Sequence, residues 1–326
     1  MIKRTTGIAV AAATVLLASA AGALAADYSL NVNTALTTGD PMYKGLEMFR
    51  DEVAKTTNGA VEVRLFSGSQ LGKDEDVLEQ ARAGANVAVL VDGGRLAEFA
   101  PELGILSAPY LVDTFDQMRK VVTSDLFDGW AAKLSKASGH KILSFNWYQG
   151  KRHLLTNKPI RKPADLDGIR MRTPGAPVWM ETIRSMGATP TPMGWTEVYT
   201  AIQQKVIDGA EAQLPAVYGS RLYEVVSDIT KTGHFFLITG LVTSAQWFDS
   251  MPPQHQEAVM AAALKAGDYA SNLTIDSLAD YQAKMEKEGV KFADIDLTPF
   301  KEATKPVYDK LGLNDLRAQV EGVLAK

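Results

Sequence analysis

The sequence has no cysteine among its 326 residues. That absence excludes disulfides, thiolate metal sites, iron–sulfur clusters and a cysteine nucleophile together. Histidine is scarce too, with only His140, His153, His234 and His255. No two of them fall at the spacing that would put both on one helical face, so no metal site is expected. A basic excess is missing: 34 Lys+Arg stand against 38 Asp+Glu, a net charge of −4. That balance argues against a generic nucleic-acid binder. The patterns G-x-S-x-G, H-E-x-x-H and G-x-x-x-x-G-K-[ST] do not occur, and no spacing singles out a pair of catalytic carboxylates. What remains is an ordinary globular composition, 46% hydrophobic and 22% charged, which excludes disorder and a multi-span membrane protein.

The first 25 residues form a unit of their own. Lys3 and Arg4 precede an uncharged Ala/Val/Leu stretch that closes on Ala23-Leu24-Ala25. A positive start, an apolar middle and small residues at the end are the design of a cleaved secretory signal peptide. The expected cut lies before Ala26, leaving 32 basic against 38 acidic residues and a net charge of −6. No later segment is long and apolar enough to span a bilayer. The expectation is an exported protein in the periplasm, stabilised by burial rather than by disulfides.

The remainder alternates strands with helices. Tyr28 to Asn33 reads as a strand, and Asp40-Pro41 as a helix cap with proline in the first turn. Met42, Leu46, Phe49 and Val53 follow at helical spacing, and Asn58-Gly59 ends that helix. Val61 to Phe66 is a second strand, and Asp74 to Ala83 a second helix whose acidic start suits a helix N-terminus. Val87 to Val91 is a continuous apolar run, as in a strand buried on both faces. A second α/β pass has strands at Ile142 to Trp147 and Ile169 to Thr173. Its helices lie at Val178 to Met186 and Thr196 to Val206, followed by a strand at His234 to Thr243. Beyond Pro252-Pro253 a helix runs to about Glu288, on the order of 50 Å long at 1.5 Å per residue. The fold expected is α/β, two lobes with a ligand cleft between them and a long helix crossing both. Lobe I comprises residues 26–149 plus 238–277, and lobe II residues 150–237 plus 278–326.

Three groups of residues are candidates for the cleft. In Gly168-Ile169-Arg170-Met171-Arg172-Thr173-Pro174, alternation puts Arg170 and Arg172 on one face of a strand. An arginine at a strand end can hold a carboxylate through two parallel hydrogen bonds, or can be a solvated edge residue. Arg152, in Gly150-Lys151-Arg152-His153, is a second such candidate. Aromatics crowd the same region: Trp147, Tyr148, Trp179, Trp195 and Tyr218. They can form cleft walls or ordinary core. Asp92, in Asp92-Gly93-Gly94, follows the buried third strand at its C-terminal end, where α/β sheets place ligand contacts or simply a turn.

Several stretches together resemble one family. These are Gly68-Ser69-Gln70-Leu71-Gly72, Gly150-Lys151-Arg152-His153, the Arg170-Met171-Arg172 strand, Pro192-Met193-Gly194-Trp195-Thr196-Glu197-Val198-Tyr199, and Asp208-Gly209-Ala210-Glu211. In this order they resemble the DctP-type solute-binding proteins of tripartite ATP-independent periplasmic (TRAP) transporters, over nearly the whole mature chain. The resemblance implies a monomeric receptor, not an enzyme, without cofactor or metal. Such a receptor has a two-lobe fold like other periplasmic binding proteins, with a hinge, and it closes around a small organic acid and delivers it to a membrane permease. Sugar acids, hydroxy or keto acids and dicarboxylates are the ligands implied.

By the same resemblance Arg172 pairs with the ligand carboxylate, and Arg152, Trp195, Asp92, Tyr148, Trp147 and Glu211 belong to the site. One departure stands out. Many relatives read D-G-Q-E-N, with the asparagine on the ligand, whereas this chain has Ala212 there. The polar contact is lost or moved to Gln213. Without the resemblance, an exported lyase or hydrolase on a similar scaffold and an exported sensor or adaptor module remain alternatives.

Overall fold

The computed structural model describes residues 26–326, so the expected signal peptide lies outside the described residues. Its nine strands are β1 (Tyr28–Asn33), β2 (Val61–Phe66), β3 (Val87–Asp92), β4 (His140–Thr156), β5 (Arg170–Thr173), β6 (Thr189–Pro192), β7 (Gly209–Ala212), β8 (Asp228–Ser244) and β9 (Lys291–Ala293). They form one sheet in the order β2-β1-β3-β8-β4-β7-β5-β6, with β9 added beside β8. At one end β1, β2 and β3 run parallel. They are joined by the helices Pro41–Thr56 and Asp74–Arg82, as the sequence pattern predicts. The Asp40 carboxylate accepts from the Met42 amide at 2.8 Å, satisfying one of the helix's orphan donors. β3 is buried along its whole length, which explains why it lacks polar alternation. At the other end β5, β6 and β7 form a second parallel set.

β4 and β8 join the two ends. Each has 17 residues, and they pair antiparallel from His140↔Ser244 to Thr156↔Asp228, with register shifts on the way. Both are longer than the sequence pattern suggests, because polar residues in their middle interrupt the apolar runs. Gly150 lies opposite Leu237 with φ of 115°, a left-handed conformation that glycine adopts without a Cβ clash. These two strands run from one end of the sheet to the other and tie its two parallel sets together.

The helix Pro253–Lys287 spans 35 residues. Its first half packs Val259, Ala263, Ala266 and Ala270 against Leu46 and Phe49 in one lobe. Its far end places Met285 among Ile207, Val217 and Ile229 in the other. It is tied to β4 where Ser271 Oγ accepts from the Tyr148 amide at 2.8 Å and donates to the Asn146 carbonyl at 2.7 Å.

The C-terminal segment packs against two separate parts of the core. Phe300 packs with Leu154, Ile169 and Ile183 of lobe II. Val307, Tyr308, Leu313 and Val320 instead join Met118, Val121 and Leu134, residues that the sequence division assigns to lobe I. The apolar face of the final helix, Asn314–Leu324, thus covers the helix Phe115–Val122. None of the helices among the described residues is long and apolar enough to cross a membrane.

Candidate ligand cleft

Between the lobes lies an inner cavity of about 60 Å³. Asp92, Arg152, Arg172, Trp195 and Gln213 all line it, so the structure brings together five of the eight expected site residues. Through Ala35, Asp74, Arg95 and Trp195 it adjoins a wider cleft mouth of about 960 Å³.

Arg152 comes from β4 and is buried. Its guanidinium donates from Nε to Glu211 Oε2, from Nη2 to Glu211 Oε1 (2.9 Å) and to the Glu211 carbonyl, and from Nη1 to Gln213 Oε1 (2.7 Å). An arginine has five N–H donors, so four are engaged with protein and one on Nη1 is left. Glu211 lies behind Arg152 rather than on the cavity surface. The Thr173 hydroxyl also donates to it, at 2.9 Å. Gln213 passes the network on. Its Nε2 donates to Gln149 Oε1 at 2.8 Å, and Gln149 Nε2 donates to the Thr239 hydroxyl at 3.2 Å.

Arg172 comes from β5 and is 2% exposed. It donates from both Nε (3.1 Å) and Nη2 (2.8 Å) to a single oxygen, the Met193 carbonyl. Its guanidinium carbon sits 5.4 Å from the Trp195 ring centroid. Among the described residues, no carboxylate forms an ion pair with it. Burial, with Arg152 and Arg95 nearby and only partly offset by Glu211, pushes its pKa down to about 9. It is still a cation at neutral pH. Arg170, on the same face of β5, takes no part: it is exposed and paired with Asp208 at 2.8 Å.

Asp92 is fully buried at the end of β3. It accepts from the Arg95 amide (3.1 Å) and Arg95 Nη1, from Ser107 Oγ (3.2 Å) and from Trp179 Nε1 (2.9 Å). Burial alone would raise its pKa, but Arg95 and the Trp179 hydrogen bond outweigh it and hold the carboxyl below its ordinary range. Arg95 also meets Glu75 at 2.7 Å and Asp74 at 3.6 Å. Asp74 is pushed up to about 6, first by burial and against the pull of Arg95.

The structure turns Trp147 and Tyr148 away from the cleft, and neither lines the cavity or its mouth. Trp147 is fully buried beneath the long helix, among Leu46 and Ala266, and its indole donates to Ser144 Oγ at 2.8 Å. Tyr148 is stacked between Phe236 and Phe115, at 4.3 and 5.8 Å. Register shifts on both sides of this pair break the simple alternation of β4, and the next residue, Gln149, is the one that faces the cavity. Ala212 belongs to the apolar cluster around Leu214 and Val217, while Gln213 supplies the polar contact beside it.

Sequence reasoning did not single out Arg95, Gln149, Thr239 or Asp74 for the site, and it kept Trp179 only among the aromatics that could form a wall or core. Asp74 read as a helix-terminus acid and Trp179 as one aromatic among several. Arg95 had no signal beyond its position three residues after Asp92.

The described residues contain no group of three or more His, Asp or Glu arranged to hold a metal. A buried arginine without an acidic partner, an aromatic wall and a set of amide and hydroxyl groups make a site suited to an anion.

Comparison with known proteins agrees with this reading. Residues 32–315 match the family described as bacterial extracellular solute-binding protein, family 7. A solute-binding protein of Roseobacter denitrificans is 28% identical over 320 residues, covering 98% of each chain. The structure of a TRAP periplasmic solute-binding protein from Escherichia fergusonii, in an apo open form, is 45% identical. It has a TM-score of 0.80 and covers 91% of this chain and 99% of that one. A TRAP periplasmic solute-binding protein from Ochrobacterium anthropi with bound L-fuconate is 34% identical, with a TM-score of 0.89 and coverage of 92% and 100%. The chain therefore belongs to bacterial extracellular solute-binding protein family 7, the DctP family, and is a two-lobe solute-binding protein of the TRAP type.

Proposed function

We propose that the mature chain is a periplasmic receptor that captures a small hydroxylated organic acid and hands it to a TRAP permease. The observation that carries this is Arg172. A buried cation without a partner is costly, and a ligand carboxylate supplies the missing charge with two parallel hydrogen bonds. The remaining Arg152 N–H, Gln149, Gln213 and Thr239 suit hydroxyl groups, and the Trp195 ring suits the carbon face of a sugar acid. The similar proteins with bound L-fuconate, L-galactonate and β-D-galacturonate point to the same ligand class.

Lobe I contributes Asp74 and Arg95 to the cleft, and lobe II contributes Arg152, Arg172, Trp195 and Gln213. A ligand touching both sets favours the closed arrangement, because only there are all contacts made. Export by cleavage before Ala26 and monomeric action belong to this proposal. The test is a thermal-shift screen of aldonates, uronates, hydroxy acids and dicarboxylates on the mature protein, followed by calorimetry. A cognate acid raises the melting temperature, and the shift grows with the logarithm of its concentration above Kd. No shift with any acid, or unchanged affinity in Arg172→Ala, overturns the proposal.

A further inference from the structure

The structure assigns to Trp179 a role in specificity: its indole closes the Asp92 end of the inner cavity and limits bulk next to the ligand's carboxylate carbon. This rests on the reading of Arg172 as the carboxylate anchor.

Trp179 lies on the helix Pro177–Ser185 of lobe II and is 1% exposed. Its strongest polar contact nevertheless reaches lobe I, where Nε1 donates to Asp92 Oδ1 at 2.9 Å. A carboxylate has about four acceptor positions. On Asp92 the Arg95 amide, Ser107 Oγ and Trp179 Nε1 all meet on Oδ1, while Arg95 Nη1 takes Oδ2. Of these donors only Trp179 comes from the opposite lobe. The indole N–H therefore helps crowd Oδ1, so a ligand hydroxyl finds no open position on that oxygen.

Away from the cavity the ring is closely packed. It packs 4.2 Å from Phe235 and 4.9 Å from the Arg152 guanidinium carbon, both centroid measures. A Cβ on Gly94 would lie 2.5 Å from the indole nitrogen, so the backbone itself is pressed against it. An acid anchored at Arg172 cannot widen towards Asp92. Its chain must leave past Asp74 and Trp195 into the mouth. Acids with a hydrogen on the α-carbon and a linear chain fit this path, whereas acids quaternary at the α-carbon do not.

The experiment compares galactonate, linear, with quinate, whose carboxylate sits on a quaternary ring carbon, by calorimetry on the mature protein. Wild type is expected to favour galactonate. Trp179→Ala should shift the affinity ratio towards quinate by at least ~10-fold, the scale of a pocket's response to added or removed hydrocarbon volume. Trp179→Phe, which keeps the ring but loses the N–H, should leave the ratio within about threefold. Trp179→Leu gives the same direction as alanine if the larger truncation does not fold. A merely structural tryptophan would weaken both acids equally, so an unchanged ratio in the alanine and leucine variants overturns the assignment. If Arg172→Ala still abolishes binding, the receptor reading survives that result. Wild type that binds quinate as tightly as galactonate overturns the assignment, and wild type that binds none of the aldonates, uronates, hydroxy acids or dicarboxylates overturns both.

Discussion

Arg152 and Arg172 line the same cavity, yet only Arg152 has a carboxylate of its own. Glu211 neutralises Arg152 through both of its carboxylate oxygens, while Arg172 shares one carbonyl oxygen, that of Met193. Together the two side chains make one neutral, rigid wall and one open positive charge. The protein's overall negative charge does not attract acids over distance, so anion selection is local to this contrast.

Removing the open charge should separate binding from stability. Truncating one partner of a buried charged contact costs ~2–5 kcal/mol, so Arg172→Ala should weaken the cognate acid at least ~30-fold in calorimetry. Arg172→Lys should also lose affinity, because one ammonium cannot reproduce a planar fork. Arg172→Met removes a buried unpaired cation at similar volume. It should bind no acid and yet melt about 2 °C or more above the ligand-free wild type. A Met variant that melts lower would show that the Met193 contacts outweigh the charge's desolvation.

The other arginine behaves oppositely. Glu211→Gln leaves Arg152 buried without its counter-ion, and breaking a buried pair in this way costs ~3–5 kcal/mol. The urea unfolding midpoint of the ligand-free protein should fall accordingly. A change below ~1 kcal/mol would mean that Gln213 and the Glu211 carbonyl hold Arg152 without the carboxylate.

The parts of the fold that were legible are those with local causes. Asp40-Pro41, the spacing of Met42, Leu46 and Phe49, and the unbroken apolar β3 each state their element within a few residues. β4 and β8 were only half visible. Gln149, Gly150 and Arg152 break the apolar pattern because they face the cavity or turn the chain, and it is the partner strand that keeps them extended. The helices Phe115–Val122 and Asp125–Ser138 were passed over, although Thr114 and Ser124 cap them through side-chain oxygens. In the site, motif resemblance pointed to Arg172, Arg152, Trp195 and Gln213, which meet at the cavity. It also pointed to Trp147 and Tyr148, which bulges in β4 turn into the core. That Arg172 lacks a partner depends on where the Met193 loop and Glu211 settle, which no local pattern encodes.

Stability should respond to pH through Asp40. Burial pushes its pKa from 3.8 to about 7, with the Met42 amide pulling the other way. The folded state thus holds a proton that the unfolded chain releases above pH ~4. The group costs nothing below that pH, and its cost grows as pH rises to about 7 and is constant beyond. Asparagine caps a helix as well as aspartate does, so Asp40→Asn removes the charge and keeps the cap. The variant should be more stable than wild type at pH 8, by up to about 4 kcal/mol at 1.36 kcal/mol per pKa unit, and the difference should shrink to nothing near pH 4. A constant difference across that range would exclude titration of Asp40 as its source.

Closure should carry a small salt-sensitive component at the cleft mouth. Lys73 of lobe I reaches Glu197 of lobe II at 2.5 Å, lying across Gly194 on the way. Both side chains are about half exposed, so solvent screens the pair and its contribution is small. On the proposed lobe division the pair joins the two lobes, so it should act on release rather than on capture. Glu197→Gln should therefore speed dissociation of the bound acid in stopped-flow measurements by no more than about fivefold at low salt. At 1 M salt, where the screening length falls to about 3 Å, the variant and wild type should release at the same rate. An effect that survives high salt would place Glu197 in direct contact with the ligand instead of in the latch.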